Sequence, residues 1–167
     1  MLAGEPARED PTVPELNHGE LAVHSPDFDA HSPIPARFAA DGENLCPALV
    51  WSDVPKGVEE LVLIVHDPDA PLVDGFVHLV AVGIDPETNG LAAGADDGFR
   101  AGLNSLGESG WTGMAPPPEH GVHHYFFHLF AVDRRLDELE SPTRREVLDA
   151  IDGHVVEQAR LVGTYRN

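Results

Sequence analysis

The sequence predicts a mainly β protein whose helices are collected at its C-terminal end. Three apolar, β-branched runs are of strand length and are the strongest secondary-structure signals in the chain. They cover residues 58–68, 75–84 and 121–133. The first two are apolar throughout, which is typical of central strands buried on both faces. Helical patterns are confined to the residues after 140.

The chain length of 167 residues suits one domain. Residues 1–15 are rich in Pro, Glu and Asp and show no periodicity, so we expect a flexible acidic tail there and a single domain over 16–167. No run approaches the roughly 20 apolar residues of a membrane-spanning helix. The N-terminus also lacks the basic start and apolar run of a secretory signal. We therefore expect a cytoplasmic protein.

Weaker elements surround the three strong strands. Residues 20–28 alternate like a short strand, and residues 31–51 hold three prolines and an Asp-Gly pair, as expected for a meander of short strands and turns. Residues 85–118 are rich in Gly, Asn, Asp and Pro, which predicts a long loop that carries function or lacks order.

Two short helices are predicted near the C-terminus. Ser141 is the expected N-cap of the first helix, with Pro142 at its first position and Gly153 as its stop. Residues 154–167 are the expected second helix. Its apolar face would be formed by Val155, Val156, Ala159, Leu161 and Val162.

The charge of the chain excludes some partners. There are 29 acidic residues against 10 basic ones, a net charge of −19, and Lys56 is the only lysine. Such a charge repels nucleic acid and anionic membranes. We expect neither nucleic-acid binding nor integral membrane association. The composition resembles that of proteins from halophilic archaea, whose salt-rich cytoplasm screens charge repulsion.

Ionisable residues stand where the three strong strands begin or end. Asp67 and Asp69 follow the first strand, and His78 opens the second. His123 and Tyr125, two apart on the third, point to one face about 7 Å from each other. His124, Phe126, His128 and Phe130 point to the opposite face. Each of these residues could be a turn cap or a satisfied core group, but their conjunction favours a shared site, because burying such groups costs stability unless they are partnered.

Metal and nucleophile chemistry have weaker support. His124 and His128 lie roughly 13 Å apart along a strand, too far to share one zinc ion. His120 and His123 could meet, but neither a Cys cluster nor an HExxH helix accompanies them. We expect no metal and no cofactor. G-x-S-x-G, P-loop and G-x-G-x-x-G motifs are missing, and Cys46 reads as a small buried hydrophobic residue.

A set of motifs resembles the phosphatidylethanolamine-binding protein family, most closely its bacterial and archaeal, Raf-kinase-inhibitor-like branch. The motifs run in order from about residue 20 onward: DGENLCPALVW, VHDPDAP, GFVHLVAV, APPPEHGVHHYFFHLFAVD and GHVVEQARLVGTY. The resemblance implies an antiparallel β-sandwich-like fold with a large central sheet, a smaller sheet and terminal helices. It also implies a small pocket for anions such as phosphate, phosphorylated head groups or acetate.

The resemblance assigns the ligand-binding pocket residue by residue. Its members are Asp67, Asp69, His78, Trp111, Ala115, Pro116, Pro117, His123 and Tyr125. It also implies a structural turn at Ala70 and Pro71 with a cis peptide bond between them. Three residues depart from the family pattern: Cys46 replaces a serine, Leu79 a common tryptophan and His124 a frequent arginine.

Two functions remain open at this point. The first is a binding protein for a small anion or phosphorylated ligand, regulatory through an unidentified protein partner. There Asp67 would orient a pocket histidine, and His78 and His123 would donate hydrogen bonds to the anion. The alternative is a hydrolase or lyase that uses His78 or His123 as the acid–base group with Asp67 as orienter.

Overall fold

Two antiparallel β-sheets and one α-helix make up the fold. A computed structural model describes residues 19–167 of the chain. The large sheet has the strand order β6-β4-β3-β7-β8, and the small sheet has the order β1-β2-β5. The strands are β1 (Ala22–His24), β2 (Leu49–Ser52), β3 (Glu60–Asp67), β4 (Phe76–Ile84), β5 (Gly90–Leu91), β6 (Arg100–Ala101), β7 (His123–Val132) and β8 (Val155–Tyr165). The helix, α1, spans Arg144–Ile151, and a 3-10 turn covers Ala36–Phe38.

The large sheet is covered on both faces. All eight residues of β3 are buried, as the continuous apolar run predicts for a central strand. Its inner face packs against the small sheet through a core that includes Leu49, Trp51 and Phe127. Its outer face packs against α1 through Val147 and Ile151. The predicted mainly β, two-sheet fold is therefore confirmed, and the predicted N-terminal tail lies outside the described residues.

The prediction of a second C-terminal helix is wrong, because residues 155–165 form strand β8. This strand pairs with β7 from His123↔Tyr165 to Val132↔Val155. Without β8, the ten-residue strand β7 would present a row of unpaired backbone groups at the sheet edge. Tertiary pairing therefore overrides the helical spacing of the apolar residues.

The first helix is present but begins two residues later than predicted. Thr143, not Ser141, is its N-cap: Thr143 Oγ1 accepts from the Glu146 N–H at 3.2 Å, and Glu146 Oε1 accepts from the Thr143 N–H at 2.9 Å. This reciprocal capping box satisfies two backbone donors at once. The residue three positions after Ser141 is Arg144, whose side chain cannot accept a hydrogen bond from an N-cap N–H. Gly153 has φ +81° just after the helix, consistent with its predicted role as a stop. No helix within residues 19–167 has the length and apolar character needed to cross a membrane.

The turn after β3 forms without a cis peptide bond. All peptide bonds of the described residues are trans, so the cis Ala70–Pro71 bond is a wrong prediction. The chain reverses by other means. Asp67 Oδ1 accepts from the Asp69 N–H at 2.7 Å, the Leu72 N–H donates to the Ala70 carbonyl, and Gly75 has φ +70°. An aspartate-capped turn and a left-handed glycine supply the reversal.

The long segment from 85 to 118 connects the two sheets. Strand β5 adds to the small sheet beside β2, and β6 adds to the large sheet beside β4. Thr112 then donates its N–H to the His78 carbonyl at 3.0 Å. The segment predicted as a loop is therefore hydrogen-bonded to both sheets and brings Trp111 and Thr112 next to the start of β4.

Candidate functional site

A β-bulge directs His78 into the inner face of the large sheet. Between the pairs Val65↔Leu79 and His66↔Val77, strand β3 advances one residue while β4 advances two. His78 is the extra residue. A bulge breaks strict alternation, so His78 and Leu79 both belong to the inner side. The His78 side chain is 4% exposed and lies beside Tyr125, with ring centroids 5.2 Å apart.

Asp67 holds the second histidine of the site. Asp67 Oδ2 accepts from His123 Nδ1–H at 2.7 Å, and both side chains are almost fully buried. The other oxygen, Oδ1, is occupied by the Asp69 N–H. The carboxylate therefore fixes the orientation of the His123 ring, as predicted, and leaves Nε2 pointing away from Asp67.

His120 contacts the other ring nitrogen of His123, Nε2. His120 Nδ1 lies 2.6 Å from His123 Nε2, and the ring centroids are 4.9 Å apart. One of the two nitrogens donates and the other accepts. His120 itself is exposed, so it lies over the buried histidine from the solvent side. From the sequence, His120 and His123 were considered together only as possible metal ligands, and their three-residue spacing was the one signal of this contact.

His78 has a different environment from His123. Its Nδ1–H donates to the Thr112 carbonyl at 2.7 Å, since a carbonyl only accepts. Its Nε2 is buried and has no hydrogen-bond partner among the described residues. Burial lowers the pKa of His78 to about 4, although the hydrogen bond to Thr112 and the charge of Asp67 act in the opposite direction. At neutral pH the ring is therefore uncharged, and Nε2 presents a lone pair.

Two of the predicted aromatic residues lie beside the histidines, and Phe76 is a third ring, 4.7 Å from His78 between centroids. Trp111 lies with its ring centroid 6.0 Å from that of His78, and its Nε1–H is the second buried side-chain atom that lacks a partner within residues 19–167. Tyr125 is stacked against His123 at 6.5 Å. Burial, together with the negative charge of Asp67, raises the pKa of Tyr125, so its hydroxyl stays protonated.

The structure brings five of the predicted site residues together: Asp67, His78, Trp111, His123 and Tyr125. Asp67, His78, His123 and Tyr125 are 1–4% exposed, so these side chains lie beneath the surface rather than along an open cleft.

Asp69 is directed elsewhere. Its Oδ2 accepts from both the backbone N–H and Nδ1 of His124 at 2.8 Å, on the exposed side of the sheet. Partial burial raises the pKa of the Asp69 carboxyl, but the two hydrogen bonds from His124 outweigh it and hold the pKa below its usual value. As predicted, His124 faces away from His123. Of the loop residues assigned to the pocket, Pro116 is buried, whereas Ala115 and Pro117 are exposed.

The chemistry of nearby groups limits what the cluster does. Within residues 19–167, no three or more His, Cys, Asp or Glu side chains are grouped as metal ligands. Neither His78 nor His123 hydrogen-bonds a side-chain hydroxyl or thiol in the described chain. Burial, followed by the charge of Asp27, raises the pKa of Cys46 to about 12, which keeps its thiol protonated.

Comparison with known proteins agrees with this fold. The sequence profile of the phosphatidylethanolamine-binding protein family matches residues 24–166. The chain belongs to this family. A relative named "UPF0098 protein" from Methanothermobacter thermautotrophicus is 41% identical over 152 residues, which is 87% of this chain and 97% of the relative.

Solved structures of phosphatidylethanolamine-binding proteins are also similar to this one. The homolog CT736 from Chlamydia trachomatis superposes with a TM-score of 0.84 at 36% identity, covering 89% of this chain and 99% of CT736. Escherichia coli YbcL, described as a new member of the mammalian family, has a TM-score of 0.83 at 25% identity, with 89% and 99% covered. The two-sheet architecture is therefore that of the family.

Proposed function

We propose that this protein binds a small anion, such as phosphate, a phosphorylated head group or acetate, at the cluster of Asp67, His78, Trp111, His123 and Tyr125. One observation carries the proposal: the two buried polar side-chain atoms without a partner, His78 Nε2 and Trp111 Nε1, belong to neighbouring rings. A buried polar atom without a partner costs about 1–3 kcal/mol. A ligand that contacts both atoms recovers this cost.

Binding of an anion there requires one proton between the anion and His78 Nε2. With Nδ1–H committed to Thr112, the neutral ring offers only a lone pair at Nε2, which repels an anionic oxygen. Trp111 Nε1–H donates without any change of protonation. The anion therefore either arrives protonated or draws a proton onto His78, where the nearby carboxylate of Asp67 favours the imidazolium. In both cases one proton lies between the bound anion and His78 Nε2.

The second histidine becomes available only when His120 moves. His123 Nε2 already contacts His120, so a ligand atom at this position has to replace that contact. Displacing His120 removes few packing contacts, because its side chain is exposed. His120 lies in a loop, between Glu119 (φ +63°) and Gly121 (φ +87°). His120 is thus a competitor for the site within the same chain.

The hydrolase alternative has no support in these contacts. Asp67 and His123 form an orienter and base, but no hydroxyl or thiol of the described residues hydrogen-bonds either histidine. Binding without turnover is the function that the geometry favours.

The test is calorimetric titration with inorganic phosphate, phosphoethanolamine and acetate at one fixed KCl concentration. Trp111→Phe keeps the ring and removes the donor. We expect it to weaken phosphate binding about tenfold, as for a hydrogen bond to a charged group. His154→Ala is the matched control, because His154 is paired with Asp133 away from the cluster. Equal affinity in wild type and Trp111→Phe, or no binding of any of the three anions, would overturn the proposal.

A further inference from the structure

The outer face of the large sheet carries a groove that is separate from the anion site. Along β7, His123 and Tyr125 point inward, and Phe126, His128 and Phe130 point outward. The groove has a volume of about 700 Å³ and runs between the sheet and α1. We call it the outer groove; Ile64, Phe126, His128, Phe130, Leu148 and Arg160 are among its lining residues.

Three rings form a ladder on the floor of the outer groove. Phe126 and His128 are stacked with centroids 5.8 Å apart and 18° between planes, and His128 and Phe130 with 5.9 Å and 10°. Because its neighbours cover both faces of His128, this ring presents its edge to the groove. Ring edges carry the positive part of the aromatic quadrupole and contact the face of another aromatic ring favourably. Burial, followed by the charge of Arg160, lowers the pKa of His128 to about 4, so the ladder is uncharged at neutral pH.

Two arginines line the same groove, Arg144 at the start of α1 and Arg160 on β8. Neither forms an ion pair with any residue of the described range 19–167. Arg160 lies over the Phe126 ring, with 5.7 Å from its guanidinium carbon to the ring centroid. Two arginines without a carboxylate partner within residues 19–167 are notable, because the whole chain has 29 acidic residues against 10 basic ones. Asp152, an exposed residue next to the end of α1, is the carboxylate that lines the groove.

We propose that the outer groove binds a small aromatic carboxylate, with its ring over the ladder of Phe126, His128 and Phe130 and its carboxylate on Arg160 or Arg144. The size agrees with this ligand class, since sites for small organic ligands are commonly 300–1,000 Å³ and mostly apolar with a few polar groups. Guanidinium groups bind carboxylates in a two-pronged geometry that orients the ligand. A polyanion is disfavoured by the net charge of −19, and a neutral aromatic molecule leaves the arginines unused. This site goes beyond the proposed function because it lies on the opposite face of the sheet.

The test uses 2-naphthoate as the probe and follows its fluorescence with the full chain at fixed ionic strength. Arg160 is exposed, so Arg160→Gln removes the charge without disturbing the core. Arg37→Gln is the matched control, because Arg37 is an exposed arginine outside the outer groove. We expect Arg160→Gln to weaken naphthoate binding at least fivefold, Phe126→Leu to weaken it similarly, and Arg37→Gln to leave it unchanged. The neutral analogue 2-naphthalenemethanol should bind at least fivefold more weakly than naphthoate.

Competition separates this site from the anion cluster. Excess phosphate should not displace naphthoate, and His78→Gln should leave naphthoate affinity unchanged. Loss of naphthoate binding in His78→Gln would place the probe in the other site and overturn the proposal. Equal affinity for the alcohol and the carboxylate, or equal affinity in wild type, Arg160→Gln and Arg144→Gln, would overturn it as well.

Discussion

His120 and His123 are in direct contact, 2.6 Å between Nδ1 of the exposed ring and Nε2 of the buried one. The same His123 ring donates to Asp67 on its other side. Both ring nitrogens of the buried histidine are therefore occupied by protein groups, and the surface histidine is one of them.

His120→Ala should increase the affinity for phosphate. The variant removes the internal competitor at His123 Nε2, and one net hydrogen bond is worth about 0.5–1.5 kcal/mol, which corresponds to an increase of roughly two- to tenfold. Titration calorimetry measures this directly, with exposed His24→Ala as the control. Weaker binding in His120→Ala would instead show that His120 holds the anion itself.

The stability of the fold should fall between pH 6.5 and pH 4 because of His78. In the folded state the pKa of His78 is about 4, against an ordinary value of 6.5, so the unfolded chain binds this proton first. The contribution of the neutral His78 ring to the free energy of unfolding is fully present above pH 6.5. It is lost as the pH decreases toward 4, below which the loss levels off. The difference between the two pKa values corresponds to roughly 3 kcal/mol.

Urea unfolding from pH 7.5 to pH 4.5 measures this effect, and His78→Gln is the comparison because glutamine can still donate to Thr112 but does not titrate. The unfolding free energy of the variant should decrease less steeply with falling pH.

Sulfate, which does not titrate in this range, should bind more tightly as the pH falls, by up to tenfold per pH unit, and His78→Gln should flatten that dependence. If the unfolding free energy, or the sulfate affinity, depends on pH equally in wild type and His78→Gln, the lowered pKa is wrongly assigned to His78.

Thr143→Ala should destabilise the protein by about 1 kcal/mol, the usual effect of losing an N-cap side chain. Thr143 and Glu146 form the capping box of α1, whereas Ser141 lies outside it. Thermal or urea unfolding of Ser141→Ala provides the matched comparison and should show a change within about 0.5 kcal/mol. The reverse order of the two effects would place the N-cap at Ser141.

Salt should stabilise the fold. At 0.01 M ionic strength the Debye length is about 30 Å, so the 29 acidic groups repel one another across the molecule, whereas at 1 M it is about 3 Å. The melting temperature should therefore rise between 0.01 M and 2 M KCl. A series in which KCl is varied at fixed urea separates screening from general salting-out. A melting temperature that stays constant would refute this expectation.

The strands that carry the site were predictable because their patterns are local. The alternation along β7 places His123 and Tyr125 on one face and Phe126 and His128 on the other, as the structure shows. His78 was assigned to the correct strand start, but its face depends on a bulge that only the pairing of β3 with β4 defines. Strict alternation would have directed it to the outer side with Val80.

Other features depend on contacts that no local pattern contains. Residues 155–165 form strand β8 because they hydrogen-bond to the edge of β7. Their own sequence is compatible with either a helix or a strand. Asp69 follows Asp67 by two residues but pairs with His124, because the turn between them directs the two carboxylates to different sides. His120 reaches His123 through a loop whose conformation the sequence does not specify.

The pairing of β7 with β8 also has a consequence for biosynthesis. Strand β7 carries His123 and Tyr125, and its neighbour β8 is translated after every other strand of the large sheet. During translation the nascent chain therefore exposes a long, apolar edge until residues 155–165 have left the ribosome. Premature termination before β8 would yield a product with that edge permanently open, prone to aggregation and unable to complete the sheet that carries the two histidines.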